Sequence, residues 1–156
     1  MSVHKNFFDI MAKFALVNRR TGTWAETIDK GFHLIEHHKL IQNERQILLM
    51  LKVLPEFCNQ HGTIHGGALC TILDCATAFS TLKVDKKMRK NVSVELNFSF
   101  LNPARVNDNL LIRAETLYIR EPLAETRADI FIENSLVHVG SGNHLQMLIN
   151  KRFDEE

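Results

Sequence analysis

The stretch of sequence that decides the fold is NQHGTIHGGALCTILD, which runs from Asn59 to Asp74. Its first half is polar and rich in glycine, and its second half is apolar with one carboxylate. Glycines at a helix entry let a ligand approach the backbone, and the N–H groups of the first helical turn point outward with the positive end of the helix dipole behind them. The pattern predicts a site that holds an anion or polarises a carbonyl, with Asp74 as base or nucleophile.

The sequence predicts one long helix over residues 66–82. Its buried stripe follows i, i+3, i+4 spacing and consists of Leu69, Ile72, Leu73, Ala76, Phe79 and Ser80. At 100° per residue the opposite side carries Asp74 among small residues, namely Gly67, Thr71, Cys75 and Ala78. A solvated helix face normally carries long charged side chains, so this face indicates close approach by another chain or a ligand.

Gly66 and Asp74 are too far apart to act together within one chain. Eight residues separate them, which is about 12 Å along a helix. An Asp side chain cannot span that distance to a carbonyl held at the Gly66 N–H. If both groups serve one reaction, a second chain related by a two-fold axis must supply one of them, and the motif predicts a dimer with composite sites.

Strand patterns flank the helix on both sides. They cover residues 33–41, 46–54, 92–100, 109–119, 125–133 and 136–149. In 92–100 the residues Val92, Val94, Leu96, Phe98 and Phe100 alternate with polar ones, which predicts a core face and places Ser93 on the polar face. Short connections favour an antiparallel sheet wrapped around the helix, so the fold class is α+β. We expect a single domain over 1–156 with an N-terminal helix at about 3–20.

Composition narrows the classes of function. The chain has 156 residues, 45% of them hydrophobic, and a net charge of +1, which gives no reason to expect nucleic acid as a partner. No apolar run in the sequence approaches the length of a bilayer span, so membrane insertion is not expected. Three cysteines without a C-x-x-C spacing favour a reducing, cytoplasmic location. The basic, amphipathic N-terminus is also typical of mitochondrial targeting, which leaves that location open.

Other polar residues are weaker candidates. His61 and His65 are spaced as in helical zinc motifs, but the neighbouring glycines predict a turn, so no metal ion is expected. Cys58 or Cys70 could be a nucleophile only if a histidine were paired with it, and nothing in the sequence positions one. A buried structural thiol is the more ordinary interpretation. Five cations, Lys83, Lys86, Lys87, Arg89 and Lys90, form either a solvated loop or a phosphate-binding one.

These residues resemble the hot-dog fold acyl-CoA thioesterases of the phenylacetate-pathway and thioesterase-superfamily-member-2 type (acyl-CoA thioesterase 13-like). The likeness rests on Asn59, His65-Gly66-Gly67 and Asp74 at the family's spacing, and on residues 91–105, which end in a Pro-Ala-Arg turn. It covers about residues 31–149. It implies a sheet wrapped around a central helix, a homodimer or dimer of dimers, and hydrolysis of a fatty or aryl acyl-CoA without a cofactor.

The resemblance also implies roles for individual residues. The Gly66 N–H would polarise the thioester carbonyl, and Asp74 of the other subunit would activate water or attack. Asn59 would orient the water or the carbonyl, Ser93 would assist the acid, and His65 joins this catalytic set through the His-Gly-Gly motif.

Coenzyme A would lie along a second set of residues. These are Gly67, Phe100, Asn102, Pro103, Arg105, Tyr118, Arg120 and Leu123. Where relatives often carry a Gly-Arg or Gly-Lys turn, this chain has Arg120-Glu121-Pro122, so Arg105 or the basic loop is left to meet the phosphates.

Two competing functions use the same features. A non-catalytic acyl-CoA-binding regulator would need the pocket but no reactive Asp. A hot-dog enoyl-CoA hydratase or dehydratase would pair an acid with His61 or His65. Free CoA thiol released across a panel of acyl-CoAs separates the thioesterase from both.

Overall fold

In the part of the chain that the structure describes, the fold consists of one antiparallel sheet, one long helix and a short 3-10 helix at Pro55–Phe57. The structure is a computed structural model that describes residues 31–35 and 42–152. The elements are β1 (His33–Leu34), β2 (Gln46–Lys52), α1 (Gly66–Val84), β3 (Arg89–Phe100), β4 (Asn109–Arg120), β5 (Leu123–Ile132) and β6 (His138–Arg152). The strand order is β1-β2-β4-β5-β6-β3, and each neighbouring pair is antiparallel. The predicted α+β class is confirmed, whereas the helix at 3–20 and residues 36–41 of the first predicted strand lie outside the described residues.

Helix α1 packs against one face of the sheet. All six residues of the predicted stripe are at most 4% exposed, and they join a core that includes Leu49, Ile112 and Ile130. By length and composition alone α1 is apolar enough to cross a membrane, contrary to the expectation that no such run exists. Within the protein 61% of that segment is buried, so packing against the sheet accounts for its apolar character.

The C-terminal half of α1 meets the sheet through polar contacts. Ser80 Oγ lies 2.8 Å from Thr116 Oγ1 of β4, and Thr81 Oγ1 donates to Gln146 Oε1 of β6 at 2.6 Å. The Lys83 ammonium donates to the backbone carbonyl of Gln46 at 2.7 Å. Because buried polar groups are costly unless paired, these contacts restrict how the helix can sit on the sheet.

A β-bulge interrupts the predicted alternation of β3. Ser93 lies opposite Gln146 and Glu95 lies opposite Leu145, so two residues of β3 span a single step of β6. Such an insertion exchanges the two faces of a strand for the residues on either side of it.

The bulge corrects the prediction for the face of β3. Val92 lies opposite Met147, away from α1, whereas Leu96 and Phe98 pack on the core. Val92, Val94 and Phe100 are 42%, 54% and 58% exposed, so the prediction of one buried apolar face was wrong. Ser93 was expected on the polar face, and the bulge instead turns it toward α1, where it reaches Asp74.

A buried ion pair ties the end of α1 to the start of β3. Arg89 donates from Nε and Nη2 to the two carboxylate oxygens of Asp85, both at 3.0 Å, and the side chains are only 9% and 5% exposed. Burial alone would raise the pKa of the Asp85 carboxyl, but the hydrogen bonds and charge of Arg89 outweigh it and hold that pKa below its ordinary value.

We predict that Asp85→Asn lowers the free energy of unfolding by about 3 kcal/mol, because it leaves the buried Arg89 guanidinium with only the exposed carboxylate of Glu121, 3.3 Å away, as counter-charge. Lys87→Gln is the matched control, since Lys87 pairs with Glu121 on the surface and such pairs contribute about 1 kcal/mol or less. Urea unfolding measures both variants. Equal losses would contradict the assignment of Asp85–Arg89 as the stabilising pair.

Candidate active site

The loop before α1 is held together by Asn59. Its Oδ1 accepts hydrogen bonds from the backbone N–H of His61 at 2.9 Å and of Thr63 at 3.3 Å, and its Nδ2 donates to Thr63 Oγ1 at 2.9 Å. Gly62 adopts a φ of 71°, which permits the tight turn. The contacts of Asn59 in the described structure stay within this loop, so its role toward water or a carbonyl remains a prediction.

His65 caps α1. Its Nδ1 accepts from the Gly67 N–H at 3.0 Å, and its carbonyl accepts from Ala68 at 2.9 Å and Leu69 at 3.2 Å. No residue in the described ranges accepts from the Gly66 N–H. The cap therefore leaves one donor free at the positive end of the helix dipole, and it is the donor that the sequence predicted.

A cavity of about 230 Å³ opens at this free donor. It is lined by Thr63, Ile64, Gly66, Leu69 and residues 100–103. The structure thus brings four predicted residues together: Gly66, Phe100, Asn102 and Pro103. The Phe100 ring covers Gly66 so closely that a Cβ at this position would lie 3.1 Å from the ring, and the ring would have to shift by a few tenths of an ångström to admit it.

A second cavity of about 480 Å³ lies on the other side of the helix start. Its lining includes Cys58, His65, Gly67, Ala68 and Thr71. Gly67 and Thr71 belong to the small-residue face predicted for α1. Gly66 lines the first cavity and its chain neighbours His65 and Gly67 line the second, an arrangement that suits a carbonyl with a substituent on each side.

Asp74 belongs to a separate cluster at the middle of α1. Its carboxylate is 47% exposed and accepts a hydrogen bond from Ser93 Oγ at 3.3 Å. The pairing that the resemblance implied for Ser93 and the acid is therefore present within one chain. Asp74 and the Gly66 N–H lie eight residues apart on the same rigid helix, so one chain does not bring them together.

His144 was missed by the sequence analysis. Its Nδ1 lies 3.6 Å from Asp74 Oδ1, and its side chain is 1% exposed. Burial lowers the pKa of His144 below its ordinary value, and the negative charge of Asp74 opposes that shift only in part. The available signal was a histidine at an inward-facing position of a buried strand, where an apolar residue is expected.

The remaining predicted residues lie elsewhere. Tyr118 and Leu123 pair with Glu125 and Met147 on the face of the sheet away from α1, and they are 48% and 37% exposed. Arg120 lies in the same turn, which approaches the C-terminal end of α1 through an ion pair between Glu121 and Lys87. Within one chain this turn therefore lies apart from the cavity at Phe100.

The cations expected near the phosphates differ in whether they already have hydrogen-bond or ion-pair partners. In the basic loop Lys83 bonds a backbone carbonyl, Lys87 pairs with Glu121, and Arg89 pairs with Asp85. Arg105 is exposed, and within the described ranges its guanidinium has no ion-pair partner. Lys86 and Lys90 of the basic loop likewise have no ion-pair partner within the described ranges, so Arg105 and these two lysines remain the candidates.

Comparisons with known proteins agree with this architecture. The sequence model of the thioesterase superfamily matches residues 61–138. Human acyl-coenzyme A thioesterase 13 is 28% identical over 105 residues, which are 67% of this chain and 74% of that protein. Mouse thioesterase superfamily member 2 superposes with a TM-score of 0.75 at 21% identity, covering 96% of this chain and 99% of that one.

A third similar structure is a hypothetical thioesterase protein with coenzyme A from Streptococcus pneumoniae. It superposes with a TM-score of 0.68 at 16% identity, covering 79% of this chain and 89% of that one. The fold is therefore the hot-dog fold, as the resemblance implied. The chain belongs to the thioesterase superfamily, and the expectation that it is a thioester hydrolase is confirmed.

We predict that Gly66→Ala raises KM for a thioester substrate by about tenfold, the effect of one misplaced methyl-sized group in a pocket. The new Cβ crowds the Phe100 ring, which lines the cavity, while the backbone N–H is retained. When Phe100 is already alanine, Gly66→Ala should raise KM much less, because the ring that it crowds is gone. Independent, additive effects in this double-mutant cycle would contradict the proposed contact.

Proposed function

We propose that this protein hydrolyses a fatty or aryl acyl-CoA to the free acid and CoA. The observation that carries the proposal is the division of α1 into two half-sites, a free N–H donor at Gly66 and a carboxylate paired with Ser93 at Asp74. The name of the human relative and the coenzyme A held by the Streptococcus pneumoniae protein support CoA thioesters as the substrate class.

The complete site is composed of two chains. Strand β3 is 12 residues long and forms the edge of the sheet, and an exposed edge of that length is a template for pairing with another strand. Antiparallel pairing of two β3 strands about a two-fold axis sets the Phe100 end of one chain beside the Arg89 end of its partner. In that dimer each Gly66 faces the half of α1 that carries the partner's acid.

Each half-site has a defined chemical role. The Gly66 N–H of one chain donates to the thioester oxygen as negative charge develops there, which stabilises the transition state more than the substrate. Asp74 of the other chain takes a proton from water, the resulting hydroxide attacks the carbonyl carbon, and the C–S bond breaks. The proton on Asp74 then passes to the departing CoA thiolate. Ser93 holds the carboxylate for this transfer.

Coenzyme A fits the cavity beside Phe100. The pantetheine arm would follow Asn102 and Pro103, and Arg105 would meet the phosphates beyond them. The turn that contains Tyr118, Arg120 and Leu123 would come from the partner. Within a chain this turn lies beside the Arg89 end of β3, and antiparallel pairing of β3 brings that end of the partner toward this cavity. The acyl group would occupy the larger cavity beside Gly67 and Thr71.

The capping contact of His65 weighs against the hydratase alternative. A hydratase of this fold needs a histidine free to work with an acid against the acyl chain. Here Nδ1 of His65 is engaged by the Gly67 N–H, and His61 lies exposed in the preceding turn. The thioesterase assignment uses His65 only to shape the helix start, which agrees with this geometry.

We predict that Asp74→Asn lowers kcat by about 10²–10⁴-fold, the range for loss of a general base, with KM little changed. The amide has the shape of the carboxylate, so folding and dimerisation should survive. Release of free CoA thiol measures turnover, and Ser93→Ala should cost less because it removes one partner of the base. A purified Asp74→Asn dimer that turns over at the wild-type rate would sink the mechanism.

We predict that mixing Asp74→Asn chains with Gly66→Pro chains restores activity that neither homodimer has. Proline removes the Gly66 N–H yet is tolerated at the first helical position. Random exchange gives half heterodimers with one intact site each, so about a quarter of wild-type activity should return. If both groups acted within one chain, no heterodimer would contain a working site, and proven exchange would restore nothing.

A further inference from the structure

Beneath the C-terminal half of α1 lies a buried polar cluster that the proposed mechanism leaves unused. It consists of His144 and Gln146 on β6 and Thr77 and Thr81 on α1, each at most 1% exposed. His144 Nδ1 lies 2.7 Å from Thr77 Oγ1 and 3.0 Å from Gln146 Nε2. The cluster ends at Asp74, whose Oδ1 is 3.6 Å from the same Nδ1.

The hydrogen bonds around Nδ1 have two complete arrangements. Thr77 Oγ1 lies 2.8 Å from the Leu73 carbonyl, which can only accept. When the hydroxyl donates there, Oγ1 must accept from a protonated Nδ1. When the hydroxyl instead donates to Nδ1, Gln146 Nε2 also donates to that bare nitrogen. A rotation of the Gln146 amide and of the Thr77 hydroxyl separates these states, and the Thr81 hydroxyl, which donates to Gln146 Oε1 at 2.6 Å, rotates with them. The cluster thus accommodates Nδ1 with or without its proton.

The surroundings of the His144 ring leave Asp74 as the group that could balance a positive charge on it. Nε2 is buried and has no hydrogen-bond partner, so a positive charge on the ring would lack solvent on that side. Asp74 is the charged group that the described structure places within ion-pair distance of the ring. The other neighbours are neutral: Thr77, Gln146 and, on the backbone carbonyl, Thr126.

We propose that His144 is a positioning residue for Asp74. Together with Thr77 and Gln146 it presents Nδ1 to the carboxylate and holds that carboxylate beside Ser93. The inference rests on the proposed function for its catalytic meaning. At 3.6 Å the two atoms are just beyond hydrogen-bond distance, and contacts of this kind in unliganded sites tighten when substrate is bound.

The kinetic test compares His144→Phe with His144→Asn. Phenylalanine keeps a planar ring but removes Nδ1, so kcat should fall by about 10–100-fold, the effect of losing a hydrogen bond to a charged group, with KM within about twofold. Asparagine returns a polar atom near the Nδ1 position and should recover at least about tenfold of that loss. The pH at which kcat falls on the acid side should also move in His144→Phe.

The matched control is Thr116→Val. Thr116 is as buried as His144 and also joins α1 to the sheet, but its hydroxyl bonds Ser80 rather than His144, Gln146, Thr77 or Thr81. It should leave kcat and the pH profile unchanged while lowering stability. An equal loss of kcat in Thr116→Val and His144→Phe, or a wild-type kcat in folded His144→Phe, would overturn the positioning role.

A second measurement does not depend on activity. The ¹⁵N shifts of the His144 ring in the intact protein report which nitrogen holds the proton, followed from about pH 8 to about pH 5 in wild type and in Asp74→Asn. Loss of the Asp74 charge should lower the titration midpoint of His144 and move the Nδ1 resonance. Unchanged ring shifts and midpoint overturn the inference even if the enzyme is active. Clear coupling in a protein that hydrolyses no thioester would leave the contact standing and refute the proposed function instead.

Discussion

One rigid helix carries both halves of the candidate site and keeps them about 12 Å apart. The sheet fixes α1 so that its first N–H opens into a cavity at one end while Asp74 meets Ser93 at the middle. No side-chain rotation in a single chain closes that separation. If the two groups serve one reaction, as proposed, a second copy must turn its own α1 toward the first.

The two halves of α1 are fixed to the sheet by different physics. Leu69, Ile72, Leu73 and Ala76 bury apolar surface, which holds the helix down without selecting one orientation strongly. Near Asp74 the hydroxyls of Thr77 and Thr81 require particular partners and so select the rotation of the helix. The Asp85–Arg89 ion pair then fixes where β3 begins. The contacts of Thr77 and Thr81 therefore hold the helix rotation near Asp74, and the ion pair holds the C-terminal end of α1.

Much of this arrangement was predictable from the sequence. The i, i+3, i+4 spacing identified α1 and its buried stripe, and the glycines after His65 identified the free donor at Gly66. The alternation of β3 misled because a bulge leaves no visible mark in a hydrophobicity pattern, yet it exchanges the faces of the strand and turns Ser93 inward. His144 is far from Asp74 in sequence, so only the pairing of β6 with β3 and its packing on α1 reveal their contact.

The most direct test of the two-chain site is the structure of the Asp74→Asn protein with a bound acyl-CoA. The account predicts that the thioester oxygen lies about 3 Å from the Gly66 nitrogen of one chain. It also predicts that the substituted side chain at position 74 nearest the carbonyl carbon belongs to the partner, with the CoA thiol side in the cavity beside Phe100. A thioester bound away from Gly66, or approached by position 74 of the same chain, would contradict it.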